Sequence, residues 1–330
     1  MEAITYSKRK KSTSRLSNKI TLEYSYTRFL AKLSLKLKGI RQMRIELLII
    51  DPQNTFCYPG LDMASLSDGE KKLIMRLLPP EIINPGALFV PKADIAMTNL
   101  AAMIMRLKTK LDDIHVTFDS HHLVDIAHPI FWLTSAGKHP NPFTQITASD
   151  VLNGTYRATN PQMQKRAVEY VQKLETNGRY PLFIWPPHGL IGTFGYGVFD
   201  VLEKALLQWE EQFRVVDTVT KGSNFWTEHY SAVQADVPDP EDPSTQLNMP
   251  LIETLAVADL IPVAGIARSH CLANTARDIA NNFGEENIKK MVLLEDATAD
   301  VPGFEGLGEA FVKEMIGRGM KLSTTLEFMK

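Results

Sequence analysis

The chain has 330 residues and a mass of 37.0 kDa, with 44% hydrophobic and 22% charged residues, which is the composition of an ordinary globular protein. Its two cysteines, Cys57 and Cys271, are too few for a disulfide framework or a four-cysteine zinc module. No apolar run approaches the roughly 18 residues that a membrane-spanning helix needs, which argues against an integral membrane protein.

Charge divides the chain into a basic N-terminal arm and an acidic remainder. Residues 1–44 hold twelve Lys and Arg against two Glu, a net charge of +10; since the whole chain carries −2, the remainder carries −12. The arm lacks the apolar segment of a secretory signal. Three interpretations stay open: a solvated or disordered tail, a contact with nucleic acid or an anionic surface, or an upstream start with Met43 as the first residue of the fold. We expect residues 1–43 to be an extension outside the catalytic domain, residues 44–330.

From residue 45 onward, short apolar runs alternate with amphipathic stretches. Strands are predicted at 47–50, 114–118, 213–216, 260–265 and 291–294. Helices are predicted at 68–78, 98–111, 198–213 and 269–283. This alternation predicts a three-layer α/β/α domain around a mainly parallel, doubly wound sheet, in which ligands bind beyond the carboxyl ends of the strands. Residues 60–84 and 129–181 do not fit the alternation, and we interpret them as insertions of the kind that form lids or oligomer contacts.

Three residues at predicted strand ends could form a nucleophilic site. Cys271 lies between a strand and a helix, where a helix N-terminus lowers the pKa of a thiol and offers free N–H groups to an oxyanion. A cysteine nucleophile also needs a base and a cation, and Asp51 and Lys221 follow other strands. Taken singly, each has a structural interpretation: a buried cysteine, a turn-capping aspartate and a surface lysine.

A second set of side chains could bind a metal. Asp119 and His121 come at the end of a predicted strand, and His128 and His188 follow later. Carboxylate and imidazole groups suit zinc, iron or manganese. His122 is an alternative ligand of lower rank, and helix capping or surface exposure is the competing interpretation for these histidines.

Five segments together resemble one family. In chain order they are Asp51-Pro-Gln-Asn-Thr-Phe56, Asp119-Ser-His121, Trp185-Pro-Pro-His188, Lys221-Gly-Ser-Asn224 and Gly265-Ile-Ala, the last followed by Cys271 and Thr275. They stand in the order of the nicotinamidase branch of the isochorismatase-like cysteine hydrolases. The resemblance covers about residues 44–326 and excludes the basic arm.

The resemblance implies roles for the residues of these segments. Catalysis is assigned to Cys271, Asp51 and Lys221. The metal is assigned to Asp119, His121 and His188, with His128 as a fourth ligand in some members. Phe56 and Trp185 are expected to enclose the pyridine ring. The N–H groups of Ala267 and Cys271 are expected to form the oxyanion hole, and the peptide bond Ile266–Ala267 is expected to be cis.

The implied activity is hydrolysis of nicotinamide to nicotinate and ammonia through a cysteine thioester, with a metal, zinc before iron or manganese, orienting the ring. This places the protein in pyridine nucleotide salvage in the cytoplasm, with a small-molecule amide as its partner. A homo-oligomer is also compatible with the resemblance, with residues 129–181 as a candidate contact.

Two departures from the family pattern bear on the substrate. Gly189 stands where many nicotinamidases have a second cysteine, and Arg268-Ser269-His270 replaces the more usual Thr-Asp before the nucleophile. We expect Arg268 to approach the pocket. The alternatives are a cysteine amidase acting on another small amide or carbamoyl compound, and a non-catalytic binding protein on the same fold. Nucleic-acid binding is disfavoured by the acidic body.

Overall fold

A six-stranded sheet forms the centre of the structure, a computed structural model that describes residues 43–177 and 180–330. The predicted basic extension therefore lies outside the described residues and stays a prediction, whereas residues 44–330 form one compact unit. The strands are β1 (Glu46–Ile50), β2 (Asp113–Asp119), β3 (Trp132–Thr134), β4 (Gln145–Ile146), β5 (Tyr156–Ala158), β6 (Leu182–Phe183), β7 (Asp217–Lys221), β8 (Ile261–Ile266), β9 (Met291–Ala299) and β10 (Lys321–Ser323).

The central sheet has the strand order β10-β9-β8-β1-β2-β7, and all of its neighbouring strands are parallel. Every residue of β1 is buried, as expected for a strand covered on both faces. From β1 the chain moves outward to β2 and β7, then returns to β8 on the other side of β1. This reversal creates a crevice beyond the carboxyl ends of β1 and β8, the usual ligand site of such sheets.

Strands β1 and β8 approach closely at that crevice because of one glycine. Gly265 has a φ of +118°, and a Cβ at this position would lie 2.1 Å from the backbone oxygen of Ile50. Any side chain would therefore push the two strands apart. The glycine allows the segments that follow Ile50 and Ile266 to meet.

Helices cover both faces of the sheet and complete the predicted three-layer arrangement. They are α1 (Asn54–Cys57), α2 (Asp68–Leu77), α3 (Pro80–Ile83), α4 (Ala93–Leu107), α5 (Ala148–Leu152), α6 (Gln164–Thr176), α7 (Asp200–Glu210), α8 (Met249–Ala256), α9 (Ala273–Phe283), α10 (Glu285–Ile288) and α11 (Glu305–Gly317). Helix α4 packs against α7 and the sheet, and α9 packs against α8 and α11. Among residues 43–177 and 180–330, none of the helices has the length and apolar character needed to cross a bilayer.

Several elements differ from the sequence prediction, among them one strand and one helix. The strand predicted at 213–216 is wrong, since Phe213 and Val215 are 92% and 71% exposed and the strand is β7, at Asp217–Lys221. Their apolar character therefore does not mark a buried strand. Helix α6, within the insertion at 129–181, was not predicted, although its buried residues have helical spacing: Ala167, Tyr170, Val171 and Leu174.

A buried ion-pair network near the amino ends of β1 and β2 makes stability depend on pH. The Nδ1 atom of His115 lies 2.8 Å from Asp217 Oδ2, and its Nε2 atom lies 3.4 Å from Glu46 Oε2. Burial opposes protonation, but the hydrogen bonds to Asp217 and Glu46 outweigh it and raise the pKa of His115 to about 9.

We therefore expect this network to be lost in alkaline solution. The stabilisation by His115 is complete below its unfolded pKa of 6.5 and disappears as the pH rises through about 9. It amounts to at most about 3 kcal/mol. Thermal unfolding between pH 6 and 10 should show wild type losing stability relative to His115→Gln. Parallel curves for the two proteins would contradict the prediction, and the exposed His122, changed to Gln, is the control.

Candidate active site

The structure brings Cys271, Asp51 and Lys221 together at the crevice. The Lys221 ammonium lies 3.0 Å from Asp51 Oδ2 and donates to Cys271 Sγ over 3.6 Å. All three side chains are nearly excluded from solvent, Cys271 being 8% exposed. They follow or end β8, β1 and β7, so the parallel sheet places at one rim three residues that are far apart in sequence.

The backbone and a threonine hold the Asp51 carboxylate in place. Asp51 has a φ of +44°, an uncommon value for a residue other than glycine, directly after β1. Thr117, on the neighbouring β2, donates its hydroxyl to Asp51 Oδ1 and accepts the Asp51 N–H over 3.0 Å. The Oδ2 atom is thereby left to face Lys221.

The charge balance of the three groups is set by burial and by neighbouring charges. Burial raises the pKa of Asp51 above its ordinary value, against the opposing effect of Lys221. For Lys221 burial acts against the charge, but Asp119 and Asp51 outweigh it and hold the pKa well above its usual range. The lysine therefore lies between two acids and a thiol, and the two acids favour its charged form.

The pKa of the Cys271 thiol differs from what the sequence predicted. Cys271 lies in a π-helical turn, Arg268–Leu272, that continues into α9. Burial raises the pKa of its thiol well above the usual value, although Lys221 acts in the opposite direction. The net shift is therefore upward, whereas the sequence predicted a lowered thiol pKa at the helix N-terminus.

The segment before this turn has the backbone that the resemblance implied. The peptide bond Ile266–Ala267 is cis, as predicted. Ala267 and Cys271, whose N–H groups are the predicted oxyanion donors, both line the same cavity. The geometry is compatible with their predicted role.

Three of the predicted metal ligands form a compact cluster. One ligand atom each from Asp119, His121 and His188 lies within 4.8 Å of the others, and all three residues are buried. The Nε2 atoms of His121 and His188 each lie 3.1 Å from an oxygen of Asp119. Asp119 also accepts a hydrogen bond of 2.8 Å from Lys221, its register partner on β7, so the cluster adjoins the thiol site.

Outer hydrogen bonds orient these imidazoles with Nε2 inward. The Nδ1 atom of His121 lies 2.9 Å from Asp125 Oδ2. The Nδ1 atoms of His188 and His128 lie 2.8 Å and 3.2 Å from the backbone oxygens of Pro186 and Leu123. Such acceptors fix the tautomer of metal-binding histidines. Asp125, four residues after His121, was missed in the sequence, although a carboxylate at that spacing is a typical partner.

The donor set fits a divalent cation. Buried polar atoms without a hydrogen-bond partner among the described residues include His128 Nε2 and Glu228 Oε2. The rings of His128 and His121 have centroids 5.3 Å apart, and Glu228 Oε1 lies 4.0 Å from His121 Nε2. Unpaired buried polar atoms are costly. Both residues lie beside the cluster, but neither is among the three whose ligand atoms lie within 4.8 Å of one another, so His128, the predicted fourth ligand, is not part of it. Glu228 was not predicted; it lies in an irregular segment without a sequence pattern. His122 is exposed, as its lower rank anticipated.

A small, mostly apolar cavity lies between the thiol and the metal cluster. Both predicted ring-binding residues line it, Phe56 and Trp185, together with Cys271, Asp119 and His188. His270, which the departure from the family pattern included, also lines it, and so do residues that the sequence did not indicate: Leu88, Val90, Glu228, Tyr230 and Val301. Cys271, Asp119 and His188 therefore face one shared, mostly apolar cavity.

The two departures from the family pattern have structural explanations. Gly189 has a φ of +54°, and a Cβ would lie 2.6 Å from the backbone oxygen of Asp119, so a cysteine would not fit there. Arg268 does not line the cavity, contrary to expectation. Its Nε atom donates to both oxygens of Asp300 over 3.1 Å, which ties the turn of Cys271 to the end of β9.

Solved structures of nicotinamidases have a fold similar to that of this chain. The yeast nicotinamidase bound to the inhibitor nicotinaldehyde has 17% sequence identity and a TM-score of 0.54, over 85% of this chain and 99% of that chain. The nicotinamidase/pyrazinamidase of Acinetobacter baumanii has 18% identity and a TM-score of 0.52, over 87% and 98%. The fold is therefore the one that the motifs predicted. No protein-family model matches the sequence, and no curated protein sequence matches it.

Proposed function

We propose that this protein is an amidohydrolase that converts nicotinamide to nicotinate and ammonia through a cysteine thioester. The observation that carries the proposal is the contact of Lys221 with both Asp51 and Cys271, beside a three-ligand cluster at one cavity. The fold shared with solved nicotinamidases supports the same reaction class.

In the proposed mechanism, Asp51 takes the proton of the Cys271 thiol, and the charged Lys221 stabilises the resulting thiolate. The sulfur attacks the carboxamide carbon. The N–H groups of Ala267 and Cys271 donate to the developing oxyanion, an effect of roughly 3–4 kcal/mol for one such donor in other enzymes. Asp51 returns its proton to the departing ammonia and leaves a thioester.

The second half of the reaction reuses Asp51. It takes a proton from water, the resulting hydroxide attacks the thioester carbon, and the C–S bond breaks. The proton held by Asp51 then returns to the sulfur of Cys271. Nicotinic acid leaves and loses its proton to solvent to become nicotinate, and the thiol is restored, so no external redox partner is required.

Asp119, His121 and His188 would hold the metal, with His128 and Glu228 as further candidates. When bound, a divalent ion, zinc by first choice with iron or manganese as alternatives, would hold the ring nitrogen and orient the substrate. Phe56 and Trp185 would enclose the ring. In this assignment the metal would bind the ring nitrogen of the substrate, and the two aromatic side chains would contact its faces.

The two cysteines favour a reducing compartment. Both Cys57 and Cys271 are free and buried, and the proposed reaction requires a thiol at Cys271. We therefore propose the cytoplasm as the site of action, with pyridine nucleotide salvage as the process.

The test is ammonia release by the full chain supplied with zinc. We expect nicotinamide to be hydrolysed at least about 100-fold more efficiently than benzamide, which lacks the ring nitrogen. Absence of nicotinamide turnover, with hydrolysis of another small amide, would favour the alternative amidase. Absence of turnover with every amide would favour a binding protein.

Arg268 is expected to position the nucleophile. Because its ion pair with Asp300 anchors the turn that carries Cys271, Arg268→Gln should lower kcat about tenfold while KM changes less than about threefold. Alkylation of Cys271 by iodoacetamide should slow in parallel; the other cysteine, Cys57, is fully buried.

The matched control is Arg277→Gln. Arg277 pairs with Glu314 over 2.8 Å between α9 and α11, outside the cavity. This variant should keep the wild-type kcat and alkylation rate. Equal losses in the Arg268 and Arg277 variants would show a general effect on folding and contradict the positioning role.

A further inference from the structure

Gln53 links the segment of the proposed base to the metal cluster. It lies two residues after Asp51, and it is completely buried. Its Oε1 atom accepts the N–H group of Asp119 over 2.7 Å, and its Nε2 atom donates to the backbone oxygen of Asp119 over 2.9 Å. One side chain therefore holds both backbone groups of a proposed metal ligand.

The Gln53 amide extends the sheet past the end of β1. Strand β1 ends at Ile50, and Asp51, with its φ of +44°, marks the point where the chain leaves the sheet. Asp119 pairs on its other side with Lys221 of β7. On the side of β1 its partner is the side-chain amide of Gln53, which offers a donor and an acceptor as a peptide group does. The buried backbone of Asp119 is thereby satisfied.

Gln53 is itself held in a single orientation. Its Nε2 atom also donates to the backbone oxygen of Tyr196 over 3.2 Å, and its backbone forms an antiparallel bridge with Val198. Exchange of the amide oxygen and nitrogen would place two donors against each other at the N–H group of Asp119. The side chain is therefore a rigid connection between the base segment and Asp119.

Thr55, two residues further along, supports the other cluster residues. Its Oγ1 atom accepts the N–H group of Gly189, the residue directly after His188, over 3.3 Å. The backbone oxygen of Gly189 accepts in turn the N–H group of His121 over 2.9 Å. The short segment that follows Asp51 thus supports the backbone beside every residue of the cluster.

We propose that Gln53, supported by Thr55, is a positioning residue that sets the spacing between Asp51 and the metal cluster. The inference rests on the proposed function, in which the metal would hold the ring nitrogen while the carboxamide carbon reaches Cys271. Such a reaction depends on a fixed spacing of the two sites. Replacing residues that orient metal ligands typically changes metal affinity or activity by about 10–100-fold.

Metal affinity separates positioning from general support of the fold. Gln53→Met keeps the approximate length of the side chain and removes its hydrogen bonds. Zinc should bind this variant at least about tenfold more weakly than wild type, as measured by competition with a chromophoric chelator. The absorption spectrum of bound cobalt, which reports the geometry of the ligands, should change as well.

The matched control is the adjacent amide, changed in Asn54→Leu. Asn54 is also buried, but it donates over 3.0 Å to the backbone oxygen of Phe194, which is remote in sequence from the proposed ligands. The melting temperature should fall in both variants, because each loses buried hydrogen bonds. The zinc affinity of Asn54→Leu should stay within about threefold of wild type, and its cobalt spectrum should be unchanged.

Wild-type zinc affinity in folded Gln53→Met, or an equal loss in both variants, would overturn the proposal. If Gln53→Met does not fold, Thr55→Val replaces it: weaker zinc binding is expected, and wild-type affinity would overturn the proposal. None of these measurements involves turnover. A wild type that binds zinc but releases no ammonia from nicotinamide would refute the proposed function alone, and a wild type that binds no zinc would refute both.

Discussion

Replacing Cys271 by serine should lower ammonia release from nicotinamide by at least about 10⁴-fold, because removal of a nucleophile from a concerted catalytic group has effects of this size or larger. The serine hydroxyl is less acidic than the thiol, and the pair Asp51 and Lys221 is arranged around sulfur. Steady-state ammonia release is the first measurement.

The control for this prediction is the second cysteine. Cys57 is fully buried in α1 and its side chain does not line the cavity. Cys57→Ala should cost stability through the lost packing but keep turnover per folded molecule within about threefold. Mass spectrometry of wild type quenched in acid should detect a nicotinoyl adduct on Cys271. Wild-type turnover by Cys271→Ser would disprove the thioester mechanism.

Replacing His121 by alanine should abolish metal binding and reduce kcat/KM by at least about 100-fold, because the variant loses a proposed ligand that also contacts Asp119 and Asp125. Metal content after dialysis should fall from about one ion per wild-type chain to near zero. A chelator should inactivate wild type, and added zinc should restore activity.

The adjacent histidine provides the matched control. His122 is exposed, so His122→Ala should retain the metal and full activity. His128→Ala and Glu228→Gln separate the remaining candidates: a direct ligand should show a large loss of metal affinity, and a more remote residue a smaller one. Full metal content in His121→Ala would exclude the assigned site.

Much of the fold and of the site could be predicted because the signals are local. Apolar runs mark the buried strands, and parallel strands direct their following residues to one rim, which made Asp51, Asp119 and Cys271 candidates. The failure at 213–216 has a physical reason: Phe213 and Val215 are apolar yet lie on the surface after α7. Apolar character alone does not determine burial.

Other parts of the site depended on tertiary contacts. Glu228 lies in an irregular segment, and only the packing of that segment brings it near His121. The direction of the Arg268 side chain depends on Asp300, 32 residues away in sequence. The insertion at 60–84 was recognisable in the sequence, but the exposure of Leu73 and Leu77 was not.

The sequence by itself determined the chemical inventory of this protein: the alternation of strands and helices, the thiol, acid and lysine, and the Asp-x-His segment. The tertiary structure alone decided how these groups affect one another. Desolvation and Coulomb interactions depend on burial and on distances between remote segments, so the raised pKa of Cys271 follows from packing. The periodicity of apolar residues in the sequence gives no distance between remote segments. Those distances depend on the order of the strands in the sheet, which is set only when the chain folds.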